Sequence, residues 1–195
     1  MQIRSFIAIE IPDSIQLAIV RLTTKLRNHY PYPVIRWVNP ANIHLTLKFL
    51  GNISISDLEK IARTIALDAS LIAPFSITFS DFGIFPNARK PRIVWISTNS
   101  PPILKEIQSR IEVISSEYGI QKEIRPFSPH ITLGRIGNYG TVQDFEHLSA
   151  ELSSINPSVI DKISISAIKI FKSDLKPTGP IYTPIHNIPL GNSNN

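Results

Sequence analysis

Cysteine is absent from the 195 residues of this chain. The absence excludes disulfides, a thiolate nucleophile and any cysteine-ligated metal, and it fits a reducing compartment. No apolar run approaches the roughly 18–20 residues of a membrane-spanning helix. The apolar run near the N-terminus is broken by Arg4 and closed by Glu10, which is too short for the core of a signal peptide. We therefore expect a cytoplasmic protein with no membrane partner.

The sequence marks of several enzyme classes are also missing. No Gly-x-Ser-x-Gly segment is present, which argues against the nucleophile elbow of a Ser-His-Asp hydrolase. Asp81-Phe-Gly83 matches the metal-binding triplet of protein kinases, but neither a Gly-rich loop nor a His-Arg-Asp segment accompanies it. We therefore treat the triplet as a chance match.

The composition is that of an ordinary globular protein. Apolar residues make up 43% of the chain and charged residues 18%, and the length suits one sizeable domain or two small lobes. Sixteen prolines and eight glycines indicate many turns and a fold that contains strands. The formal net charge of +5 slightly favours an anionic partner such as RNA or a nucleotide.

The most informative feature is a four-residue motif that occurs twice, as His44-Leu-Thr-Leu47 and His130-Ile-Thr-Leu133. Successive side chains of a strand point to opposite faces of the sheet. In each motif the imidazole and the hydroxyl therefore share one face, and the two aliphatic side chains can enter a core from the other. This pattern predicts two proton-transfer groups arranged around one phosphate.

The motifs belong to a longer internal repeat. His44 lies 38 positions after Phe6 and His130 lies 37 after Ile93, and a phenylalanine follows each histidine after 41 positions. We predict a strand–helix–strand–helix–strand unit used twice, over about 3–86 and 91–172. The two units would form two lobes of one domain, 1–190, related by a pseudo-two-fold axis that makes the motif strands face each other.

Local signals predict where several elements begin and end. A helix is predicted from Asp13, a second helix from the capping box Ser56-x-x-Glu59, and another from Thr141. The Pro-rich stretch 31–40 is predicted to be irregular, and Gly51 is predicted to end the first motif strand at residue 50. Residues 181–185 are predicted to add an edge strand. The chain from Leu190 onward is predicted to fray, with 191–195 as a disordered tail.

Two imidazoles suit the opening of a phosphodiester. One removes a proton from the attacking oxygen and the other delivers a proton to the leaving oxygen, from opposite sides of the phosphorus. The threonine hydroxyls can donate hydrogen bonds to the non-bridging oxygens, where charge accumulates. A single histidine in a strand is more often structural, but the same pair in both halves favours function. Neither motif has further ligands at metal spacing, so no metal and no other cofactor is predicted.

Residues near the motifs have two interpretations each. Arg125, on the stiff Pro-rich approach to the second motif, is predicted to bind phosphate, with a surface salt bridge as the alternative. Lys48 would share the face of His44 if the strand is regular, or would lie at the solvated rim. Arg36 and Trp37 could offer a charge and a stacking surface, but a core role is as plausible for Trp37 and for Phe127. The other histidines are assigned no role: His29, His147 and His186.

His44-Leu-Thr-Leu-Lys-Phe-Leu-Gly51 and Arg125-Pro-Phe-Ser-Pro-His-Ile-Thr-Leu-Gly-Arg135 resemble the paired HXTX motifs of the 2H phosphoesterase superfamily. Over nearly its whole length, the chain is most similar to the bacterial and archaeal RNA 2′,3′-cyclic phosphodiesterases, also called 2′-5′ RNA ligases. The resemblance implies a bilobal α+β fold, with antiparallel sheets lining a central cleft and helices outside.

The resemblance also implies an activity and site residues. The activity is metal-independent hydrolysis of a terminal 2′,3′-cyclic phosphate of RNA to a 2′-phosphate, possible in reverse as 2′-5′ ligation. By position, His44 is similar to the proton donor, His130 to the proton acceptor, and Thr46 and Thr132 to the phosphate-binding threonines. The expected partners are RNA ends or nucleotides that carry the cyclic phosphate, and no obligate protein partner is indicated.

Three alternatives stay open at the level of sequence. The first is a related phosphodiesterase that opens a small cyclic nucleotide or a cyclic sugar phosphate. The second is a nucleotide- or RNA-binding module that has the cleft but no turnover. The third is an α+β scaffold in which the histidine pairs are structural, so that their replacement alters stability rather than chemistry.

Overall fold

The computed structural model describes residues 1–177 and 179–191, so residues 192–195 of the tail predicted at 191–195 lie outside the described residues. The described strands are β1 Gln2–Glu10, β2 Ile35–Trp37, β3 His44–Ser54, β4 Phe75–Phe85, β5 Ile93–Asn99, β6 His130–Ile136, β7 Ile163–Ile165, β8 Ala167–Lys176 and β9 Gly179–Pro189. The described α-helices are α1 Asp13–His29, α2 Ile55–Ala69, α3 Pro102–Glu117 and α4 Val142–Ser154. None of these helices is both long and apolar enough to cross a lipid bilayer.

The strands form one antiparallel sheet in the order β7-β4-β5-β6-β3-β1-β8-β9, with β2 also paired to β6. The order is symmetric about the seam between β6 and β3, which are the two strands that carry the motifs. On one side of the seam the order is β6, β5, β4, and on the other it is β3, β1, β8. In both cases the motif strand lies beside the first strand of its own repeat, and the last strand of the other repeat follows. The α+β class and the antiparallel sheet predicted from the sequence are confirmed.

The repeats exchange their last strands. β4 ends the first repeat and pairs with β5, the first strand of the second repeat. β8 belongs to the second repeat and pairs with β1, the first strand of the chain. Each half of the sheet therefore contains strands from both repeats, so the two structural halves do not coincide with the two sequence units.

The core lies on the face of the sheet that the aliphatic motif residues share with the helices. Leu45, Leu47, Ile131 and Leu133 are all buried. The helices contribute one apolar face each, and α3 packs against both β3 and α2. Each buried Leu or Ile side chain contributes about 1.5–3 kcal/mol relative to exposure. The opposite face, which carries the motif imidazoles and hydroxyls, is free of this core.

Several element boundaries differ from the predictions. α2 begins at Ile55, and its cap is Ser54, whose hydroxyl accepts a hydrogen bond from the Asp57 backbone N–H. The predicted capping box at Ser56 is therefore wrong, because β3 continues through Gly51, which takes a φ of 68°, up to Ser54. The capping box at Thr141 is confirmed.

Two segments predicted to be irregular are ordered by long-range pairing. Residues 35–37 form β2 because they hydrogen-bond to β6. Leu190, predicted to begin a frayed tail, is buried, and its backbone N–H donates to the carbonyl of Ser166. The edge strand predicted at 181–185 is confirmed and extends over all of β9.

Candidate active site

The seam between β3 and β6 brings the two motifs together. Leu45 pairs with Ile131 in antiparallel register, so His44 lies beside Thr132 and Thr46 lies beside His130. These four side chains share the face opposite the core and form a square with the imidazoles on one diagonal. Diagonal neighbours of this kind are separated by about 7–8 Å. The arrangement leaves room for one tetrahedral anion between two imidazoles and two hydroxyls.

Each motif ends on a β-bulge. Ala8 pairs with Thr46 and Ile7 with Lys48, so Leu47 has no partner on β1. In the same way Trp95 pairs with Thr132 and Val94 with Gly134, which leaves Leu133 without a partner on β5. A bulge inserts one residue and reverses the alternation of faces beyond it. The side chains that follow each motif therefore point to the faces opposite to those predicted by simple alternation.

The bulge in β3 turns Lys48 away from the imidazoles. Its side chain is only 5% exposed, and its Nζ donates to Glu112 Oε2 at 2.6 Å and to the carbonyl of Gln121 at 2.7 Å. Glu112 also accepts the backbone N–H of Glu123. Both predicted positions of Lys48, on the face of His44 or at the rim, are therefore wrong. Instead, Lys48 joins β3 to α3 and to the segment that leads to His130.

The bulge in β6 turns Arg135 toward the face of the imidazoles. Arg135 has the same place after the second motif that Phe49 has after the first, and both line one cavity. The position equivalent to Lys48 is occupied by Gly134 in the second motif, because β2 packs against this bulge and leaves no room for a side chain. A Cβ on Gly134 would lie 2.7 Å from Cγ2 of Ile35. Sequence reasoning missed Arg135 because regular alternation puts Gly134, not Arg135, on the functional face.

Backbone hydrogen bonds fix the same tautomer in both histidines. Nδ1 of His44 lies 2.7 Å from the carbonyl of Asn42, and Nδ1 of His130 lies 2.8 Å from the carbonyl of Ser128. A carbonyl oxygen can only accept, so each Nδ1 carries the proton and donates it. Nε2 of each ring is therefore the atom that can exchange a proton with a ligand.

The ring of His44 is enclosed by aromatic side chains. Its centroid is 4.8 Å from Phe6, 5.2 Å from Tyr182 in an edge-on contact, and 6.5 Å from Phe171. Burial lowers the pKa of His44, and the nearby charge of Arg135 lowers it further, against the opposing effect of the hydrogen bond to Asn42. The neutral form is therefore favoured when no anion is bound.

The surroundings of His130 are more polar. His130 pairs with Ser97 of β5, whose hydroxyl lies 2.6 Å from that of Ser80. Across the described part of the chain, no aromatic ring contacts the His130 ring. Trp95, beside Thr132 on the same face, packs over Gly83 rather than into the core.

A cavity of about 330 Å³ adjoins the aromatic side chains around His44. Phe6 and Tyr182 form walls of both the cavity and the His44 enclosure. Its cationic wall residues are Arg4, Arg36, Arg135 and Lys176, and no carboxylate of the described residues lines it. The cavity residues come from six strands: β1, β2, β3, β6, β8 and β9. Sequence reasoning missed most of these residues, because only the order of the strands in the sheet brings them together.

The other candidates from the sequence lie elsewhere. The indole N–H of Trp37 donates to the carbonyl of Tyr30 at 2.9 Å, and Arg27 lies over its ring, so the core role of Trp37 is confirmed. Phe127 also packs against the core. Arg125 is exposed and does not line the cavity.

The remaining histidines contact carboxylates outside the site. His29 and His147 flank Glu151 at 3.6 Å each, and His186 lies 3.3 Å from Glu59. Within residues 1–177 and 179–191, no three His, Asp or Glu side chains are grouped to hold a metal ion.

Comparison with known proteins identifies relatives over nearly the whole chain. It is 33% identical to an RNA 2′,3′-cyclic phosphodiesterase of Methanocaldococcus jannaschii, over 93% of this chain and 98% of the relative. It is 27% identical to another from Methanothermobacter thermautotrophicus, over 94% and 96% of the two chains. Among solved structures, E. coli LigT complexed with 3′-AMP matches with a TM-score of 0.76 and 27% identity, over 97% of this chain and 99% of that one.

A family model described as LigT like phosphoesterase matches the chain twice in succession. The first match covers residues 9–95 and the second residues 96–182. Each match contains one histidine–threonine motif. The chain therefore belongs to the LigT-like phosphoesterase family, within the 2H phosphoesterases.

Proposed function

We propose that this protein hydrolyses the terminal 2′,3′-cyclic phosphate of RNA to a 2′-phosphate, by general acid–base catalysis between two histidines and without a metal ion. The observation that carries the proposal is the antiparallel seam, which puts His44 and His130 on one diagonal and two threonines on the other. The relatives named RNA 2′,3′-cyclic phosphodiesterase, at 26–33% identity, support RNA as the substrate class.

The proposed reaction uses Nε2 of each histidine. Nε2 of neutral His130 takes a proton from water, whose oxygen attacks the phosphorus. The bond between phosphorus and the ribose 3′-oxygen breaks, and Nε2–H of protonated His44 gives its proton to that oxygen. The phosphate stays on the 2′-oxygen. Each positioned proton-transfer group contributes about 10²–10⁴-fold to the rate.

The different surroundings of the two histidines support this assignment of donor and acceptor. His44 adjoins the aromatic walls of the cavity, which suit a nucleoside, whereas His130 has polar neighbours. Attack and departure are in line, so the attacking water and the leaving ribose oxygen must lie on opposite sides of the phosphorus. Water on the side of His130 leaves the ribose on the side of His44.

The threonines are proposed to stabilise charge on the non-bridging oxygens. Thr46 and Thr132 occupy the second diagonal of the square, so each hydroxyl lies beside the histidine of the other motif. Hydroxyls aimed at the oxygens where charge develops stabilise the transition state more than the ground state. Arg125 stays a predicted phosphate ligand, and the cytoplasmic location stays a prediction.

The test is turnover of an oligonucleotide that ends in a 2′,3′-cyclic phosphate, assayed in excess chelator. We expect a 2′-phosphate product, and a loss of about 10²–10⁴-fold in kcat for His44→Ala and for His130→Ala. His147→Ala, which replaces an exposed histidine on α4, is the matched control. The proposal fails if chelator abolishes turnover, or if both motif variants fold and retain the wild-type rate.

The same steps with a different nucleophile give 2′-5′ ligation. A ribose 5′-hydroxyl would occupy the place of the attacking water, and His130 would take its proton while His44 protonates the departing 3′-oxygen. Because bulk water competes with the 5′-hydroxyl for the cyclic phosphate, ligation should require concentrated ends held side by side, for example across a nicked duplex.

A further inference from the structure

We propose that the basic cavity beside His44 binds the internal phosphodiester that precedes the cyclic end, so that the enzyme prefers oligonucleotides to cyclic mononucleotides. This inference rests on the proposed function, because it extends the substrate from the reacting phosphate to the next phosphate of the strand.

The first support is the unbalanced charge of the cavity. Arg36 of β2 and Arg135 of β6 are direct cross-strand partners, and like charges in that position destabilise a sheet. Among the described residues, none of the four cavity cations forms an ion pair. An anion bound between them would relieve this repulsion.

Other cations of β8 are balanced. Lys169 at the start of β8 pairs with Glu10, and Lys172 in the middle of the strand pairs with Asp174 at 3.0 Å. Farther along β8, Lys176 lines the cavity without such a partner among the described residues. The lack of carboxylate partners is therefore specific to the cavity and is not a general property of the cations of β8.

The second support is the position of the cavity relative to the proposed reaction. Phe6 contacts the His44 ring on one side and lines the cavity on the other, and Tyr182 does the same. The proposed mechanism puts the ribose on the side of His44. A strand that continues from this ribose in the 5′ direction therefore enters the cavity, and its first internal phosphate meets the arginines.

The third support is the chemistry of the walls. Guanidinium groups donate paired hydrogen bonds that match the oxygens of a phosphodiester. Phe49, which is 63% exposed, offers a ring face to a base beside them. Aromatic stacking and backbone cations together are typical of sites that hold single-stranded nucleic acid without reading its sequence. A volume near 330 Å³ suits a group of nucleotide size.

The test compares kcat/KM for three substrates: a 2′,3′-cyclic mononucleotide, a dinucleotide with the same cyclic end, and that dinucleotide with a neutral methylphosphonate linkage. We expect the wild-type enzyme to prefer the charged dinucleotide over both others by roughly 10- to 100-fold, as charge-assisted hydrogen bonds predict. In Arg4→Gln/Arg36→Gln, which removes two of the four cavity charges, the penalty for the methylphosphonate should decrease. Arg63→Gln, an exposed arginine on α2, should keep the wild-type preference.

The outcomes separate this inference from the proposed function. If the enzyme turns over all three substrates equally, or if the double variant keeps the full methylphosphonate penalty, the phosphate subsite is refuted while the proposed function stands. If no substrate is turned over, the proposed function fails. The subsite is then tested by the binding of an oligonucleotide with a 2′-phosphate end. Each cation that contacts the strand should add about 0.7 to the slope of log affinity against log salt.

Discussion

His44 and His130 have the same backbone setting but different surroundings. Each begins a motif strand, each donates Nδ1–H to the carbonyl two residues before it, and each is followed by a bulge at the fourth motif position. Yet aromatic rings and a basic cavity adjoin His44, whereas serines and solvent surround His130. The shared features supply two equivalent proton-transfer groups. The differences are what give the two groups distinct roles, which pseudo-symmetry alone cannot do.

The two bulges also differ, and this difference predicts the largest effect, which is on the free energy of unfolding. At the bulge in β3, Lys48 is buried and pairs with Glu112. At the bulge in β6, the equivalent residue is Gly134, which packs against β2. Lys48→Met should lower the free energy of unfolding by about 3–5 kcal/mol, because Glu112, whose side chain is only 12% exposed, would lose its cation. Chemical denaturation measures this loss.

The double variant Lys48→Met/Glu112→Leu should recover much of that stability, because no charge is left unpaired. Lys60→Met, which breaks an exposed ion pair with Asp57, is the control and should cost at most about 1 kcal/mol. Equal losses for Lys48→Met and Lys60→Met would show that the ion pair does not bridge β3 and α3 as described.

Substitution of the two threonines tests whether the phosphate lies on the pseudo-two-fold axis. If one anion lies at the centre of the square, Thr46→Val and Thr132→Val should each lower kcat by a similar factor, about 10²-fold. Valine keeps the shape of threonine, so the fold should be retained, and Thr78→Val on the exposed face of β4 is the control. A large effect from one threonine and none from the other would place the anion off the axis.

The sequence predicted the motif faces, because within four residues the period of a strand is enough to pair His44 with Thr46 and His130 with Thr132. It failed one residue later for a physical reason. A bulge depends on how β3 and β6 pair with their neighbours, and this pairing has no local mark. The same error therefore misplaced Lys48 and concealed Arg135.

The aromatic enclosure of His44 could not be predicted for a related reason. Phe6 is far in the sequence from Phe171 and Tyr182, and it meets them because β1 pairs with β8, which in turn pairs with β9. The exchange of last strands between repeats puts β8 beside β1, and no periodicity of the sequence specifies that exchange. The asymmetry that distinguishes the two histidines is therefore a property of the assembled sheet.

The smallest predicted effect is a shift in the pH profile, and it tests the assigned roles most directly. As proton donor, His44 acts only in its protonated form, so kcat/KM should fall as the pH rises through the pKa of His44 in the free enzyme. Burial and Arg135 lower that pKa, so the descending limb should lie below 6.5. Arg135→Gln removes a charge that opposes protonation, and the limb should therefore move to higher pH. Arg63→Gln, which removes an equal charge on α2, should leave it in place.

Opening the aromatic enclosure should move the same limb further. Burial is the largest cause of the lowered pKa of His44, so Phe6→Ala should raise this pKa more than Arg135→Gln does. Titration of the His44 ring by NMR in the free protein, beside the kinetic profile, identifies the group that sets the limb. If the ring titrates at higher pH in both variants while the descending limb does not move, then His130 is the donor. The two halves would in that case have the reverse of the roles that their surroundings favour.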